Sequence, residues 1–434
     1  METAISASAE IPERFCRVRA LTEALSAPLS AEDQTAQSMA DVSPTKWHRA
    51  HTTWFFEEFL LRARGTDYVE FDPYYRYLFN SYYEAVGDRH PRPERGVITR
   101  PGIDEIAKYR RHVDHAMLEL MSSAGVSAVL PRMELGLHHE QQHQELLLMD
   151  IKHVLSRNVL DPAYGERGAV DVAQAAPAPA AHWCGFPGGL VEVGHDSNGF
   201  AFDNEGPRHR HYVEEFSLAS RLVTCGEVAD FIADGGYQRH ELWLSDGWAL
   251  AQAQRWDAPL YWRREGPHEW SVFTLSGRAA LQRDEPVCHV SYFEADAIAR
   301  WAGARLPTEF EWETAATAML QTQATQHAGH LLDVNSLHPR PAPPAAAPHG
   351  PSQLFGDVWE WTSSAYLPYP GFRPAVGAVG EYNGKFMVNQ HVLRGGSCLT
   401  PPGHVRASYR NFFPPAARWP MTGLRLARDG ADAA

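Results

Sequence analysis

A histidine-rich segment, residues 138–145, carries the side chains of this sequence that are best suited to metal chemistry. It reads His-His-Glu-Gln-Gln-His-Gln-Glu, contains no helix-breaking residue and is followed directly by an apolar run. Because residues four apart share one face of a helix, His139 and His143 can direct their imidazoles at a single ion. With 22 histidines in 434 residues, such a pair also arises by chance about once. Two solvated or capping histidines are therefore the alternative interpretation.

A second segment, residues 47–56, offers further imidazoles, those of His48 and His51, among aromatic side chains. Helix bundles build metal sites from side chains on facing helices. The two segments together therefore predict a metal site inside a helical bundle, with one histidine of the second segment as the third ligand.

The helices that would position these histidines are predicted by apolar residues at three-and-four spacing between residues 10 and 157. Proline, glycine and serine pairs at the segment ends agree with helix starts and stops. The predicted helices run from Phe15 to Leu25, Trp47 to Arg64, Ile103 to Ser123 and Val129 to Ser156. Between the second and third lies a long aromatic and basic loop, and loops of this length are usually functional or disordered. Its aromatic residues favour a functional loop.

The chain is too long for one ordinary core, so we expect more than one domain. Residues 158–181 end in an alanine- and proline-rich run that predicts a linker. In residues 182–430 helical periodicity largely disappears, short strand-like runs dominate, and one helix is clear, from about Tyr292 to Trp301. The predicted fold class is α+β, with a helical bundle over residues 10–157 and a loop-rich mixed domain after the linker.

Composition limits the partners that this chain can have. Hydrophobic residues make up 44% and charged residues 21%, as in ordinary globular proteins. No apolar run is long enough to span a bilayer, and the N-terminus lacks the features of a secretory signal. We therefore expect a soluble, cytoplasmic protein. The net charge of -14 disfavours nucleic acid as a partner and favours a small molecule.

The five cysteines are scattered and odd in number, which supports neither a disulfide framework nor a structural zinc site. They are Cys16, Cys184, Cys225, Cys288 and Cys398. We expect reduced thiols.

The second half of the chain contains a series of short motifs in a definite order. They are Gly188-Gly189-Leu190, Glu205-Gly206-Pro207-Arg208-His209, Ala304-Arg305-Leu306-Pro307-Thr308-Glu309, Phe355-Gly356-Asp357-Val358-Trp359-Glu360-Trp361, Val392-Leu393-Arg394-Gly395-Gly396-Ser397 and Gly423-Leu424-Arg425. In these motifs the domain resembles the formylglycine-generating, sulfatase-modifying family, which implies a C-type-lectin-like fold. That family's own chemistry uses a cysteine pair, and no second cysteine follows Cys398.

The first domain, with His51 and the spacing His139-x3-His143-x-Glu145, resembles DinB-type metal-binding bundles. Further matching stretches are residues 47–52, 78–84, 382–390 and 409–414. From about residue 15 onward the chain resembles the EgtB family, the sulfoxide synthases of ergothioneine biosynthesis. The resemblance implies a non-haem Fe(II) enzyme that uses O2 to join the sulfur of cysteine, or of γ-glutamylcysteine, to the imidazole C2 of hercynine.

The resemblance implies that His51, His139 and His143 bind the iron, and it favours His51 over His48 because the family match falls on His51. Three neutral imidazoles suit Fe(II) and leave coordination positions open for substrates. For Glu145, a partner of a ligand imidazole and a helix-surface carboxylate both remain open.

Gln142 and Asn411 match family positions that bind hercynine, where a neutral amide donates without adding charge. Phe412 and Phe413 are candidates for its trimethylammonium group, because aromatic faces attract such cations. Simple packing is the alternative role for both rings.

Tyr82 and Tyr83 are interpreted, by the same resemblance, as the catalytic acid pair, since a phenol can donate a proton while protonated at neutral pH. Arg92, Arg95 and Arg100 are candidates to bind the carboxylate of the thiol substrate. Aromatic packing and solvated loop arginines are the respective alternatives. Within the family, this branch leans towards free cysteine.

Two other functions remain open at this stage. One is a zinc-dependent DinB-type thiol transferase that uses the same three histidines. The other is a lectin-like binding module with a structural metal, although structural zinc sites usually have four protein ligands.

Overall fold

The computed structural model describes residues 2–64, 68–123, 126–165, 177–321, 329–344 and 350–430. The chain separates into two compact units, one comprising residues 1–166 and 375–382 and the other residues 167–374 and 383–434. Residues 166–176 of the predicted linker lie outside the described residues, and the domain boundaries stay predictions. Within the described segments, no helix is long and apolar enough to cross a lipid bilayer.

The first unit is built from helices, and the four predicted from apolar spacing are all present. The helices are α1 (Glu2–Ser26), α2 (Thr45–Phe56), α3 (Tyr75–Leu78), α4 (Ile103–Met121) and α5 (Leu130–Ser156). Helix α2 continues without a break into a π-helical turn, Glu57–Leu61, and a 3-10 turn, Arg62–Arg64. Such π turns occur frequently near functional sites.

Helices α2 and α5 approach each other closely at Gly136. A Cβ atom at this position would lie 2.6 Å from Cε1 and 2.9 Å from Cζ of the buried Phe56 ring. Glycine therefore permits the close contact of the two helices one turn before His139.

A buried ionic cluster supports α5 directly beside the histidine segment. Glu140 is fully buried and accepts hydrogen bonds from Arg19 Nη1 at 2.8 Å, Arg110 Nη2 at 3.0 Å and Thr22 Oγ1 at 2.6 Å. Burial by itself would raise the pKa of Glu140, but the attraction of Arg19 and Arg110 outweighs it and lowers the pKa to about 2. The cluster ties α5 to α1 and α4.

Replacing Glu140 by Gln is expected to lower the free energy of unfolding by about 3 kcal/mol, because it removes the one fully buried carboxylate that Arg19 and Arg110 share. The two guanidinium groups keep only their partly exposed partners, Asp114 and Glu23. The pKa of Glu140 is depressed in the folded state, so this contribution is complete above its ordinary value of 4.5 and is lost as the pH falls towards about 2. Urea unfolding across this pH range measures the difference between the two proteins.

The matched control is Glu13→Gln, which removes the exposed i,i+4 pair of Glu13 with Arg17. It should change stability by less than about 0.5 kcal/mol. An equal effect of the two substitutions would contradict the role of the buried cluster.

The loop between α2 and α4 is packed rather than open. Tyr75, Phe79 and Tyr83 are buried in the core of the unit. Asn80 Nδ2 donates to the carbonyl oxygens of Tyr83 and Gly87, at 3.1 and 3.0 Å, and so holds the turn that follows Phe79.

Residues 375–382 also belong to the first unit, although they are far away in sequence. The Glu381 carboxylate accepts from the backbone N–H groups of Glu84 and Ala85, at 2.9 and 3.0 Å. The Tyr382 ring lies 5.5 Å from that of Tyr82. This segment therefore braces the loop that carries the two predicted catalytic tyrosines.

The second unit combines short strands, helices and extended loops, as the predicted α+β class requires. Its strands are β1 (Trp183–Phe186), β2 (Gly189–Val193), β3 (His209–Val213), β4 (Phe216–Ala219), β5 (Trp262–Arg264), β6 (Trp270–Thr274), β7 (Gly277–Ala280), β8 (Trp359–Ala365), β9 (His391–Arg394), β10 (Asn411–Phe413), β11 (Thr422–Gly423) and β12 (Ala427–Asp429). They form sheets of order β1-β4-β12, β10-β9-β8-β11, β2-β3 and β5-β6-β7.

The sequence made only one helix of this unit clear, and the structure contains three more among the described residues. Helix α8 (Tyr292–Trp301) is present as predicted, and the others are α6 (Cys225–Ala233), α7 (Ser245–Gln254) and α9 (Glu309–Gln321). Helix α6 is started by a capping box, in which Thr224 and Glu227 exchange side-chain and backbone hydrogen bonds. Helix α9 lacks a clear apolar period because two of its buried positions are glutamates. Glu309 and Glu313 each place a carboxylate oxygen 2.9 Å from Nη2 of Arg394.

Candidate metal centre

Helices α2 and α5 bring His51, His139 and His143 together inside the first unit. All three are buried, and one ring nitrogen from each lies within 4.8 Å of those of the other two. The Nε2 atoms of His51 and His139 are 3.2 Å apart. A metal–imidazole bond is about 2.1 Å long, so two nitrogens on one ion lie about 3 Å apart. The observed spacing fits a shared ion.

The contact between His51 Nδ1 and the backbone leaves the Nε2 lone pair of His51 available to a metal. Its Nδ1 lies 2.6 Å from the carbonyl oxygen of Phe79. A carbonyl oxygen can only accept, so Nδ1 carries the proton and Nε2 keeps its lone pair. The packed loop after α3 therefore fixes the tautomer of this imidazole.

Burial keeps the three imidazoles neutral. Desolvation lowers the pKa of His139 to about 4, and with help from the neighbouring histidines it lowers the pKa values of His51 and His143 well below 6.5. Neutral imidazole is the form that binds metals. His139 Nδ1 is buried and has no hydrogen-bond partner among the described residues. A donor set of three neutral nitrogens that converge on one point fits a divalent transition metal.

Aromatic rings hold His51 in place. The Trp47 ring stacks on it at 4.5 Å with an interplanar angle of 11°, and the Trp54 ring stacks on it at 5.5 Å. Phe55 lies 4.6 Å from the ring of His139. These rings restrict the orientations of the His51 and His139 imidazoles.

His48, which sequence reasoning set aside in favour of His51, contacts the site through His143. Its Nδ1 lies 2.8 Å from Nδ1 of His143, and its Nε2 lies 3.1 Å from Oδ2 of Asp150. Sequence reasoning missed Asp150. Asp150 lies seven residues after His143 on the same face of α5, but nothing in the sequence indicated that it would meet His48.

Of the three predicted substrate-binding arginines, Arg95 has the most distinctive environment. Arg92 and Arg100 are exposed, and Arg92 donates to the carbonyl oxygen of Asp41. Arg95 is buried, its guanidinium lies 3.4 Å from the centroid of the Trp47 ring, and its Nη1 donates to Ser43 Oγ at 2.9 Å.

The remaining nitrogens of Arg95, Nε and Nη2, are buried and have no partner in the described part of the chain. Burial lowers the pKa of Arg95 to about 9, so the group still carries its charge at neutral pH. A buried cation with unused donors is a binding position for an anion.

The two predicted catalytic tyrosines occupy different environments. Tyr83 is buried, its ring lies 5.7 Å from that of Trp54 and 5.0 Å from that of Phe59, and desolvation raises its pKa. Tyr82 is half-buried and lies within electrostatic range of Arg95. Tyr82 is therefore the one of the two that combines access with proximity to Arg95.

The predicted hercynine-binding residues lie in different units. Gln142 is half-buried on α5, directly before His143. Asn411, Phe412 and Phe413 form β10 in the second unit, where the Phe412 ring stacks on Tyr366 at 4.2 Å. The roles of all four residues stay predictions.

Comparisons with known proteins match both parts of the chain. Residues 170–430 match the model of the sulfatase-modifying factor enzyme 1-like domain. Residues 14–147 match that of the DinB superfamily.

Curated relatives extend the similarity over most of the chain. Hercynine oxygenase of Mycolicibacterium smegmatis is 36% identical over 317 residues, which are 69% of this chain and 72% of the relative. Hercynine oxygenase of Mycobacterium tuberculosis is 33% identical over 405 residues, 89% of this chain and 91% of the relative. Ergothioneine biosynthesis protein 1 of Schizosaccharomyces pombe is 29% identical over 237 residues, 53% of this chain and 28% of the relative.

The matches to the DinB superfamily and to the sulfatase-modifying factor enzyme 1-like domain, together with the hercynine oxygenase relatives, define a metal-dependent oxygenase. The chain belongs to the hercynine oxygenase family. The resemblance predicted from its motifs is thereby confirmed.

Proposed function

We propose that this protein is an iron(II)-dependent sulfoxide synthase of ergothioneine biosynthesis. It joins the sulfur of cysteine to the imidazole C2 of hercynine. The reaction balances as hercynine plus cysteine plus O2 giving hercynyl-cysteine sulfoxide plus water, with one oxygen atom on sulfur and the other in water. The observation that supports this proposal most directly is the convergence of His51, His139 and His143 in a chain of the hercynine oxygenase family.

The three histidines would hold the metal in this proposal. Fe(II), when bound there, would supply the chemistry of O2 activation and of thiolate binding. A donor set of three imidazoles also accepts Zn(II), so the preference for iron rests on the O2 dependence of the family's reaction. The stacked rings of Trp47 and Trp54 keep His51 in its binding orientation.

Arg95 would bind the carboxylate of the thiol substrate. Two of its nitrogens are available, its charge is buried, and it stacks on the same Trp47 ring that covers His51. A carboxylate that accepts from Nε and Nη2 together would fix cysteine through a bidentate contact. Arg92 and Arg100 are exposed and would be left for the more distant end of a longer thiol such as γ-glutamylcysteine. Free cysteine is the favoured donor because the chain resembles the branch of the family that leans towards it.

Replacing Arg95 by Met should raise the KM for cysteine by on the order of 10–100-fold, because a buried charge-assisted contact is lost. Cysteamine, which has the thiol and amine of cysteine but no carboxylate, provides the internal comparison. The wild-type protein should prefer cysteine strongly, and Arg95→Met should show little preference. Steady-state O2 uptake with each thiol measures both values.

Arg92→Met is the matched control, since it removes an exposed guanidinium from the same loop. It should preserve the preference for cysteine over cysteamine. If Arg92→Met loses the preference for cysteine while Arg95→Met keeps it, the carboxylate is bound by Arg92 and the proposal for Arg95 is wrong.

Tyr82 would donate the proton that the oxygen-dependent step requires. It is half-buried, whereas Tyr83 is enclosed by Trp54 and Phe59. We assign Tyr83 the role of packing beneath Tyr82. The Glu381 contacts to the loop backbone would keep Tyr82 in position.

For hercynine, we propose Gln142 of the first unit as a contact for its polar groups. The roles predicted for Asn411, Phe412 and Phe413 of the second unit, an amide donor and two aromatic faces for the trimethylammonium group, stay predictions. The proposed partners are therefore hercynine, cysteine and O2, with no role for nucleic acid or a membrane. The cytoplasmic location predicted from the sequence stays a prediction.

Anaerobic reconstitution of the metal-free protein tests the function. With Fe(II), O2 uptake should require hercynine and cysteine together, and mass spectrometry should detect the sulfoxide product. Thiol alkylation with Zn(II) and no O2 uptake would instead favour the thiol transferase. Metal binding without turnover of any thiol would favour a binding module.

A further inference from the structure

We propose that His48 and Asp150 form a positioning relay that fixes the tautomer of His143 and prepares it to bind the metal. The proposal rests on the metal centre of the proposed function and adds two residues to it. Neither residue would touch the metal or the substrates. Both would act through the imidazole of His143.

The geometry of the relay is continuous across two helices. Asp150 and His143 lie on α5, and His48 lies on α2 between them. The Nδ1 atoms of His143 and His48 are 2.8 Å apart, and Nε2 of His48 lies 3.1 Å from Oδ2 of Asp150. All three residues are buried: His143 is 5% exposed, His48 2% and Asp150 3%.

The donors and acceptors along this line can be arranged in one way that leaves His143 able to bind a metal. Two facing Nδ1 atoms share one proton, and the carboxylate of Asp150 is an acceptor. His48 therefore donates from Nε2 to Asp150, and its Nδ1 accepts from the N–H of His143 Nδ1. This arrangement leaves the lone pair of His143 on Nε2.

The backbone holds the far end of the relay. Ser43 N–H donates to the same oxygen of Asp150 at 2.7 Å, one residue before the proline that precedes α2. The carboxylate thus accepts from the start of α2 and from His48 on its first turn. This double contact orients Asp150 before any metal binds.

The three imidazoles of the metal centre consequently differ in their outer contacts. Nδ1 of His51 faces a backbone carbonyl oxygen, and Nδ1 of His139 has no partner among the described residues. Only His143, of these three, is linked to a carboxylate through a second imidazole. Such a contact orients a ligand imidazole and raises its basicity, and for His143 it is supplied by His48 and Asp150.

Substitutions of His48 test the relay through metal affinity, without reference to turnover. In the full-length, metal-free protein, His48→Leu should weaken Co(II) binding by about 10–100-fold. His48→Gln should restore most of the affinity, because its amide oxygen can accept from His143 while its amide N–H donates to Asp150. Competition with a chelator gives the dissociation constants, and the visible absorption of Co(II) reports the ligand number.

His138→Leu is the matched control, since it removes a buried imidazole of α5 that contacts Arg14 at 2.7 Å. It should lower the melting temperature without weakening Co(II) binding. Equal Co(II) affinity in the wild type and His48→Leu would overturn the proposal, as would a His48→Gln variant as weak as His48→Leu.

A measurement on the wild type keeps the test decisive if His48→Leu does not fold. Nitrogen-15 labelled histidine in the metal-free protein should show His143 protonated at Nδ1, and protonation at Nε2 would overturn the relay. Failure of the wild type to bind Co(II) or Fe(II) would instead reject the metal centre of the proposed function. Tight binding that is insensitive to His48 would reject the relay alone.

Discussion

Replacing His51 by alanine is expected to remove the metal and to reduce O2-dependent turnover by on the order of 10³-fold or more, as for other groups that act as one unit. The substitution leaves two imidazoles, those of His139 and His143, which would bind Fe(II) weakly. It also opens a cavity between the stacked rings of Trp47 and Trp54. Metal content after reconstitution and gel filtration measures the first effect, and O2 uptake measures the second.

His153→Ala is the matched control for His51→Ala. His153 is a partly exposed histidine near the end of α5, and its Nδ1 contacts Ser38 Oγ at 2.6 Å. This variant should retain its metal and most of its activity. Full iron content and normal turnover in His51→Ala would reject the proposed ligand set.

Replacing Tyr82 by Phe is expected to divert the products rather than to abolish substrate binding. Without the proton donor, oxidation of cysteine alone to its sulfinic acid, with both atoms of O2 added to sulfur, should replace most C–S bond formation. A positioned general acid typically contributes on the order of 10²–10⁴-fold to a rate, so sulfoxide formation should fall by a factor in that range. Mass spectrometry of both products gives the ratio.

Tyr83→Phe is the comparison that separates the two tyrosines. It keeps the ring that packs on Trp54 and Phe59 and removes a buried hydroxyl. The product ratio should stay close to that of the wild type. A normal ratio in Tyr82→Phe together with an altered ratio in Tyr83→Phe would transfer the donor role to Tyr83.

The metal centre was largely predictable from the sequence because local periodicity determines it. The spacing of His139 and His143 is one helical turn, and α5 begins and ends within a residue of the predicted positions. Family motifs selected His51, and the structure places it with the other two histidines. Sequence spacing can predict a metal site when the ligands lie one turn apart on the same helix, as His139 and His143 do.

The relay was not predictable because its key contact joins residues on two different helices. His48 and Asp150 are separated by 102 positions, and neither belongs to a motif whose spacing indicates that they meet. The sequence named Arg95 together with Arg92 and Arg100, but it could not single out Arg95, whose unused donors become visible only once Trp47 and Ser43 surround it.

In the second unit, most of the missed helices follow from short capping signals and buried charge. The Thr224–Glu227 capping box was visible in the sequence, since a threonine three residues before a glutamate indicates the start of a helix. Glu309 and Glu313, two of the three glutamates of α9, look like part of a solvated face. They are in fact buried against the guanidinium groups of Arg394 and Arg410.

The return of residues 375–382 to the first unit has a consequence for how this protein can be divided. A fragment that stops at residue 165 would retain all three histidines but would lack the carboxylate of Glu381, which fastens the backbone at Glu84 and Ala85. We expect such a fragment to keep its metal ligands but to hold the loop that carries Tyr82 and Tyr83 less firmly. Joining a bare helical bundle to a second domain would therefore not reproduce the first unit, because that unit is completed by residues 375–382 from the later part of the chain.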